Sequence, residues 1–128
     1  MTVQLNHTII PAKNKKESAA FLAEVLGLPD PFPFGPFMAV QVESLTLDYV
    51  DVGEDKEIEP RHYAFLVSEE EFDEIFGRIE ARGIPYWADP HATRPQEINT
   101  NDGGRGCYFP DPDGHWLEII TRPYGSGG

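Results

Sequence analysis

The chain has 128 residues, 40% hydrophobic and 25% charged, the balance of an ordinary soluble domain with room for one core or two small halves. Its 22 acidic and 10 basic side chains leave a formal charge of −12, which excludes nucleic acid as a partner and works against anionic membranes, since both need a basic patch. No apolar run approaches the roughly 20 residues of a membrane span, Met1-Thr2-Val3-Gln4 lacks the layout of a signal peptide, and the single Cys107 fits a reducing compartment, so a cytoplasmic protein is expected.

In chain order, residues 3–11 read as a strand closed by Pro11. Asn14 with Glu17 is a capping-box signature, and Phe21, Leu22, Val25 and Leu26 supply one apolar helical face before Gly27 stops it. Residues 30–36 form a short, irregular edge strand, followed by a hairpin of strands at about 37–43 and 45–52 turning near Glu43 and Ser44. The acidic stretch 53–60 ends in Pro60 and reads as a linker. A strand begins at His62, Ser68 and Glu71 open a second helix, and Phe72, Ile75, Phe76 and Ile79 follow the i, i+3, i+4, i+7 stripe until Gly83 and Pro85. A short strand is expected at 84–87. Residues 88–104 show no period, which suggests a functional lid or rim. Strands at about 105–110 and 114–121, joined by Pro110-Asp111-Pro112-Asp113-Gly114, close the chain.

The pattern therefore nearly repeats. Each half is strand, helix, then about three strands, and each places a histidine on its first strand and an acid on its last: His7 with Asp48, and His62 with Glu118. An ionised side chain on so apolar a strand costs several kcal/mol, roughly, when buried uncompensated, so two halves making the same sacrifice point to a shared compensator. The expected fold is α+β: two βαβββ repeats, about 3–52 and 61–122, in one domain over residues 1–128. Their curved mixed sheets would surround a metal-binding cavity where equivalent positions converge. Imidazole and carboxylate donors with open positions suit a divalent transition metal such as Mn, Fe, Ni or Zn.

Leu5-Asn6-His7, Arg61-His62-Tyr63-Ala64-Phe65 and the run from Tyr108 through Asp111-Pro112-Asp113-Gly114 to Glu118 resemble the three metal-bearing segments of the vicinal oxygen chelate superfamily. That superfamily includes lactoylglutathione lyase, extradiol dioxygenases, fosfomycin resistance enzymes and bleomycin-binding proteins. The resemblance covers nearly the whole chain. It implies His7, His62 and Glu118 as metal ligands, Asp48 as a fourth ligand or catalytic base, a small-molecule substrate and a homodimer. Two departures bear on the reaction. Where extradiol dioxygenases carry a catalytic histidine, this chain has Asn99, Thr100 and Asn101, and an amide cannot relay protons as imidazole does. Where fosfomycin thiol transferases grip the phosphonate, the loop offers only Arg94 and Arg105 as cations.

Around that centre, Tyr108 shares a sheet face with Glu118 if the last two strands pair, as an acid or hydrogen-bonding group, or simply as packing. Arg105 is a candidate for holding a substrate anion, and Trp87 for a pocket wall. His91 lies in the open loop, where a mobile surface histidine is the simpler reading and a group closing over substrate the sharper one. His115 is expected to face solvent or cap its turn, and Cys107 to be a small buried apolar residue. The leading function is a metal-dependent enzyme chelating two neighbouring oxygens of its substrate, by lyase, isomerase or dioxygenase chemistry. The alternatives are a metal-free binder sequestering a basic small molecule in an acidic groove, and a fosfomycin-resistance-like thiol transferase.

Overall fold

Residues 2–127, the part described by the computed structural model, form seven strands, two α-helices and one short 3-10 helix, and the chain divides after Glu59 into two compact units. Each unit is α+β with a mixed sheet.

The first unit runs β1 (His7–Ala12), α1 (Lys15–Leu26), β2 (Phe32–Phe34), β3 (Phe37–Val42) and β4 (Leu45–Asp51), with strand order β1-β4-β3-β2 and only the β1-β4 pair parallel. Asn14 caps α1 by accepting the Glu17 N–H at 3.1 Å, and Gly27 ends it at φ 71°, a left-handed conformation that costs glycine nothing. The helix buries Ser18, Ala19, Leu22, Ala23 and Val25 against β1, β3 and β4. Small Ala19 and Ala23 let the helix approach the sheet closely, which leaves Phe21 and Leu26 half-buried rather than central. Ile10, Val40, Leu47 and Tyr49 are buried on alternate strand positions, each large side chain contributing about 1.5–3 kcal/mol. The expected strand at residue 3 begins only at His7. Its partner β4 starts at Leu45, and after the Thr46 N–H to Asn6 carbonyl bond there is no neighbour left to pair with.

The second unit runs β5 (His62–Leu66), α2 (Glu69–Ala81), the 3-10 turn Asn101–Gly103, β6 (Gly106–Pro110) and β7 (Trp116–Ile120), ordered β5-β7-β6 with β5 and β7 parallel. The capping box at α2 is complete, Ser68 and Glu71 each satisfying the other's backbone N–H. Phe72, Ile75 and Ile79 are buried, as are Cys107, Phe109, Leu117 and Ile119 on one face of the sheet. The strand expected at 84–87 is reduced to an isolated bridge at Trp87, which exchanges both backbone bonds with Tyr108, at 2.9 and 2.8 Å. The loop that follows, expected as a lid or rim, is held by its own hydrogen bonds. Asp89 accepts the N–H groups of Thr93 and Arg94, the buried Asn99 amide donates to the Ala88 carbonyl at 2.8 Å, and Asn99 pairs its backbone with Gly106. Gly106 suits this close approach, since a Cβ would lie 3.1 Å from the Asn99 side chain and 3.2 Å from the Ile119 carbonyl and would press its neighbours apart.

The two units share one register rule. His7 opens β1 opposite Thr46, and Asp48 stands two residues on; His62 opens β5 opposite Trp116, and Glu118 stands two residues on. Because side chains alternate, each acid shares a sheet face with its own histidine.

Candidate functional site

In the second unit the site grows from the turn that precedes β7. Asp111 Oδ1 accepts the N–H groups of Asp113 and His115, at 2.9 and 2.8 Å, and so closes the Pro-Asp-Gly turn. His115 does not face solvent but is wholly buried, its Nδ1 accepting the Arg61 N–H at 3.0 Å. A reciprocal bond from the Trp116 N–H to the Arg61 carbonyl fixes the start of β5, and therefore His62, beside β7. Asp111, Asp113 and His115 offer ligand atoms within 4.8 Å of one another, but this trio is poorly suited to an ion. With Nδ1 accepting a backbone proton, a neutral His115 ring must carry its own proton on Nε2 and has no second lone pair to give. The cluster is a turn lock, and burial raises the pKa of the Asp111 carboxyl in it, against the pull of its N–H donors.

His62 and Glu118 behave differently. The His62 Nδ1 lies 3.0 Å from the Trp116 carbonyl, which can only accept, so Nδ1 carries a proton. Its Nε2 then faces Glu118 Oε1 at 3.0 Å, and Glu118 is only 1% exposed. A ring lone pair and a carboxylate oxygen do not meet at that distance without positive charge, supplied either by a second ring proton or by a cation held by both groups. These residues therefore fit a divalent ion. Carbonyl-anchored imidazole is also the common arrangement behind metal-ligating histidines.

Two phenols complete this cluster. Tyr124 donates to Glu118 Oε1 at 2.6 Å, and Tyr108 stands beside both on the same face. Burial raises the pKa of both phenols, and the neighbouring Glu118 carboxylate adds to it, so both remain donors. Stacked rings extend the surface: His62 on Tyr108 at 5.8 Å, Tyr108 on Trp116 at 6.0 Å, and Trp116 against Trp87 at 5.3 Å. Tyr108 is 6% exposed and pairs directly with Glu118 across the β6-β7 ladder, which explains how it comes to share that face.

Other residues singled out in the sequence are engaged or buried elsewhere. Arg105 sends Nε to Glu69 Oε1 and Nη1 to Asp73 Oδ1, both at 2.8 Å, and Nη2 to the Glu69 carbonyl, while its guanidinium covers Phe72 at 4.4 Å. Expected as an anion grip, it is instead committed to the first turn of α2, where acidic residues collect. Arg94 pairs with Glu97 at 3.2 Å, and His91 is exposed in the turn stapled by Asp89. Cys107 is fully buried with its pKa pushed up to about 12, mainly by burial, so it is no nucleophile. Sequence reasoning missed Tyr124 altogether: it sits in a Pro, Gly and Ser tail with no periodicity to mark it.

In the first unit, His7, Thr46 and Asp48 face Phe32, Phe34 and Phe37 across a pocket of ≈ 380 Å³. His7 is exposed, and its Nδ1 lies 2.8 Å from the Asn6 side-chain oxygen, which leaves Nε2 free to ligate, the same tautomer that His62 shows. Asp48 is 4% exposed, and its Oδ1 has no hydrogen-bond partner. A buried carboxylate oxygen left unpaired is costly, and it is the kind of strain retained where a ligand is to arrive.

The family model of the Glyoxalase/Bleomycin resistance protein/Dioxygenase superfamily matches residues 4–119, and the chain belongs to that superfamily, the vicinal oxygen chelate fold. It is 30% identical over 124 residues to a glutathione transferase, FosA, of Serratia marcescens, covering 93% of this chain and 81% of that one. Among solved structures it resembles the oxidase ChaP-H2, with 61% identity over 100% of both chains and a TM-score of 0.95. The fosfomycin resistance protein FosX of Listeria monocytogenes, solved as a point mutant complexed with Mn(II) and 1S,2S-dihydroxypropylphosphonic acid, shares the fold. Its TM-score is 0.72 at 23% identity, over 99% of this chain and 96% of that one. The transferase and the oxidase are named as enzymes. Among the described residues no helix is long and apolar enough to cross a membrane.

Proposed function

We propose that this protein is a metal-dependent oxidase or oxygenase acting on a small molecule with two neighbouring oxygens, with His7, His62 and Glu118 as the ligand set. The observation that carries the reading is the His62 Nε2 to Glu118 Oε1 approach, buried on one side, with Nδ1 already committed to a carbonyl. Identity of 61% with an oxidase along its whole length supports oxygen chemistry over a lyase or isomerase. When bound, an iron or manganese ion would supply Lewis acidity, open positions for substrate oxygens and one-electron chemistry with dioxygen.

The chain's own groups have separate tasks in this reading. Asp48, buried and with an unpartnered oxygen, takes the proton of a substrate hydroxyl. Tyr108 donates a hydrogen bond toward negative charge developing on substrate oxygen. Phe32, Phe34 and Phe37, which line the pocket of His7 and Asp48, offer apolar faces that favour a flat, weakly charged substrate. Arg105 is assigned to structure, not to substrate. The transferase reading draws on the FosA likeness, but both loop guanidinium groups that would hold a phosphonate are engaged by carboxylates.

Metal analysis of protein purified without a histidine tag, followed by oxygen-uptake screening on diols, hydroxyquinones and oxo acids, tests the proposal. The expected result is a stoichiometric ion, lost in His62→Ala, and substrate-dependent oxygen uptake. Glutathione addition to a phosphonate without oxygen uptake would transfer the site to the transferase class. Metal-free protein that still binds basic compounds would make it a sequestering binder. Light scattering checks the homodimer that the same reading carries.

A further inference from the structure

Tyr124 lies beyond β7 in the tail that follows Pro123, and it is 66% exposed, yet its hydroxyl is spent on a carboxylate that is 1% exposed. The tail is a formed turn: Ser126 gives both its N–H, at 3.1 Å, and its hydroxyl, at 2.6 Å, to the Pro123 carbonyl, and the Gly127 N–H reaches Asp102 Oδ1 at 3.4 Å. A surface tyrosine has water to hydrogen-bond, so folding the tail inward costs chain entropy that a cover alone would not repay. A charge-assisted bond to Glu118 does offset it, and at 2.6 Å the Tyr124 bond is of that kind. Oε1 of Glu118 thereby meets His62 of the neighbouring strand and Tyr124 from outside the sheet, so two groups hold that oxygen in place.

We infer that Tyr124 is a positioning residue for Glu118, and that the C-terminal tail is thereby a working part of the cation site and not a trailing end. This inference rests on the metal reading above. It assigns to a residue outside the three metal-bearing segments the task of presenting the ligating carboxylate in one orientation.

The test uses the full, tag-free chain stripped of metal and titrated with Co(II) alone, read by its visible d–d absorption. Tyr124→Phe keeps the ring and deletes only the hydroxyl; Tyr124→Ala removes both; Glu74→Gln alters the exposed surface of α2, outside the tail. Tyr124→Phe and Tyr124→Ala are expected to weaken Co(II) binding alike, about 10-fold, with a shifted absorption band, while Glu74→Gln behaves as the unaltered protein. Thermal unfolding of the metal-free variants confirms that each is folded. A Tyr124→Phe protein with unchanged affinity and spectrum overturns the inference, as does a loss seen only in Tyr124→Ala, which would make the ring a mere cover. If the unaltered protein and His62→Ala bind Co(II) equally poorly, the metal reading itself has failed. If the unaltered protein binds and Tyr124→Phe matches it, only the positioning role has.

Discussion

The two units place histidine and carboxylate in the same register, yet they have made opposite uses of it. Glu118 is engaged: its Oε1 meets His62 and Tyr124, and the rings of His62, Tyr108 and Trp116 stack beside it. Asp48 occupies the equivalent position with an oxygen that nothing addresses, above a pocket walled by phenylalanines. One methylene separates the two side chains. The longer glutamate crosses to the strand beside it and meets the first histidine of that strand, whereas the shorter aspartate keeps an oxygen with no hydrogen-bond partner. In the proposed reading, the duplicated element thus gives His62 and Glu118 as two of the ion's ligands in one half, and beside His7 in the other half a carboxylate free to take a substrate proton.

The largest effects should fall where this division is sharpest. Glu118→Gln is expected to lose the bound ion, while Asp48→Asn keeps it but lowers kcat by about 10²–10⁴-fold, as removal of a general base does. Metal content and turnover measured on both variants decide the matter, and loss of the ion from both would erase the distinction. Next in size is the contrast between buried and pocket-facing aromatic rings. Phe109→Ala should lower unfolding free energy in urea by about 3–5 kcal/mol, since that ring is wholly buried. Phe34→Ala, 65% exposed, should change it by no more than about 0.5 kcal/mol while raising KM.

A smaller effect is expected at the α2 cap. Ser68→Ala removes half of the capping box and should cost about 1 kcal/mol, read by the same denaturation. The smallest is a pH effect. Hydrogen bonding from Thr121, and then from Arg105, lowers the pKa of Glu69 below its ordinary 4.5. A depressed folded-state pKa stabilises the native chain above the unfolded value, and that contribution fades as pH falls through the lower folded value. The melting-temperature gap between the unaltered protein and Glu69→Gln should therefore be full near neutrality and close below about pH 4.5. A gap that widened in acid would show that Arg105 does not depend on the carboxylate.

Much of this molecule was legible in the chain because its signals are local. Both helix starts are written in side chains three residues apart, Asn14 with Glu17 and Ser68 with Glu71, and the stripe from Phe72 to Ile79 needs only helical periodicity. The duplicated pattern also singled out His7, Asp48, His62 and Glu118, and the resemblance assigned roles to them, because a chelating residue on an apolar strand stands out against its surroundings. Elsewhere local pattern misled. Arg105 resembled a free cation until α2 brought Glu69 and Asp73 to it, and the aperiodic stretch after Trp87 gave no sign of the bonds that Asp89 and Asn99 make within it.

What the sequence determined by itself was the α+β repeat, the caps, and the kinds of donor available, since these follow from side-chain chemistry within a few residues. Only the tertiary structure decided which groups meet. His115 locks the turn to β5 across 54 residues, and Tyr124 comes back from a tail without pattern to the one buried carboxylate of β7. Those partnerships are set by strand pairing and burial, where an ionised or polar atom must find whichever counterpart the fold brings within reach, and sequence spacing carries no record of that choice.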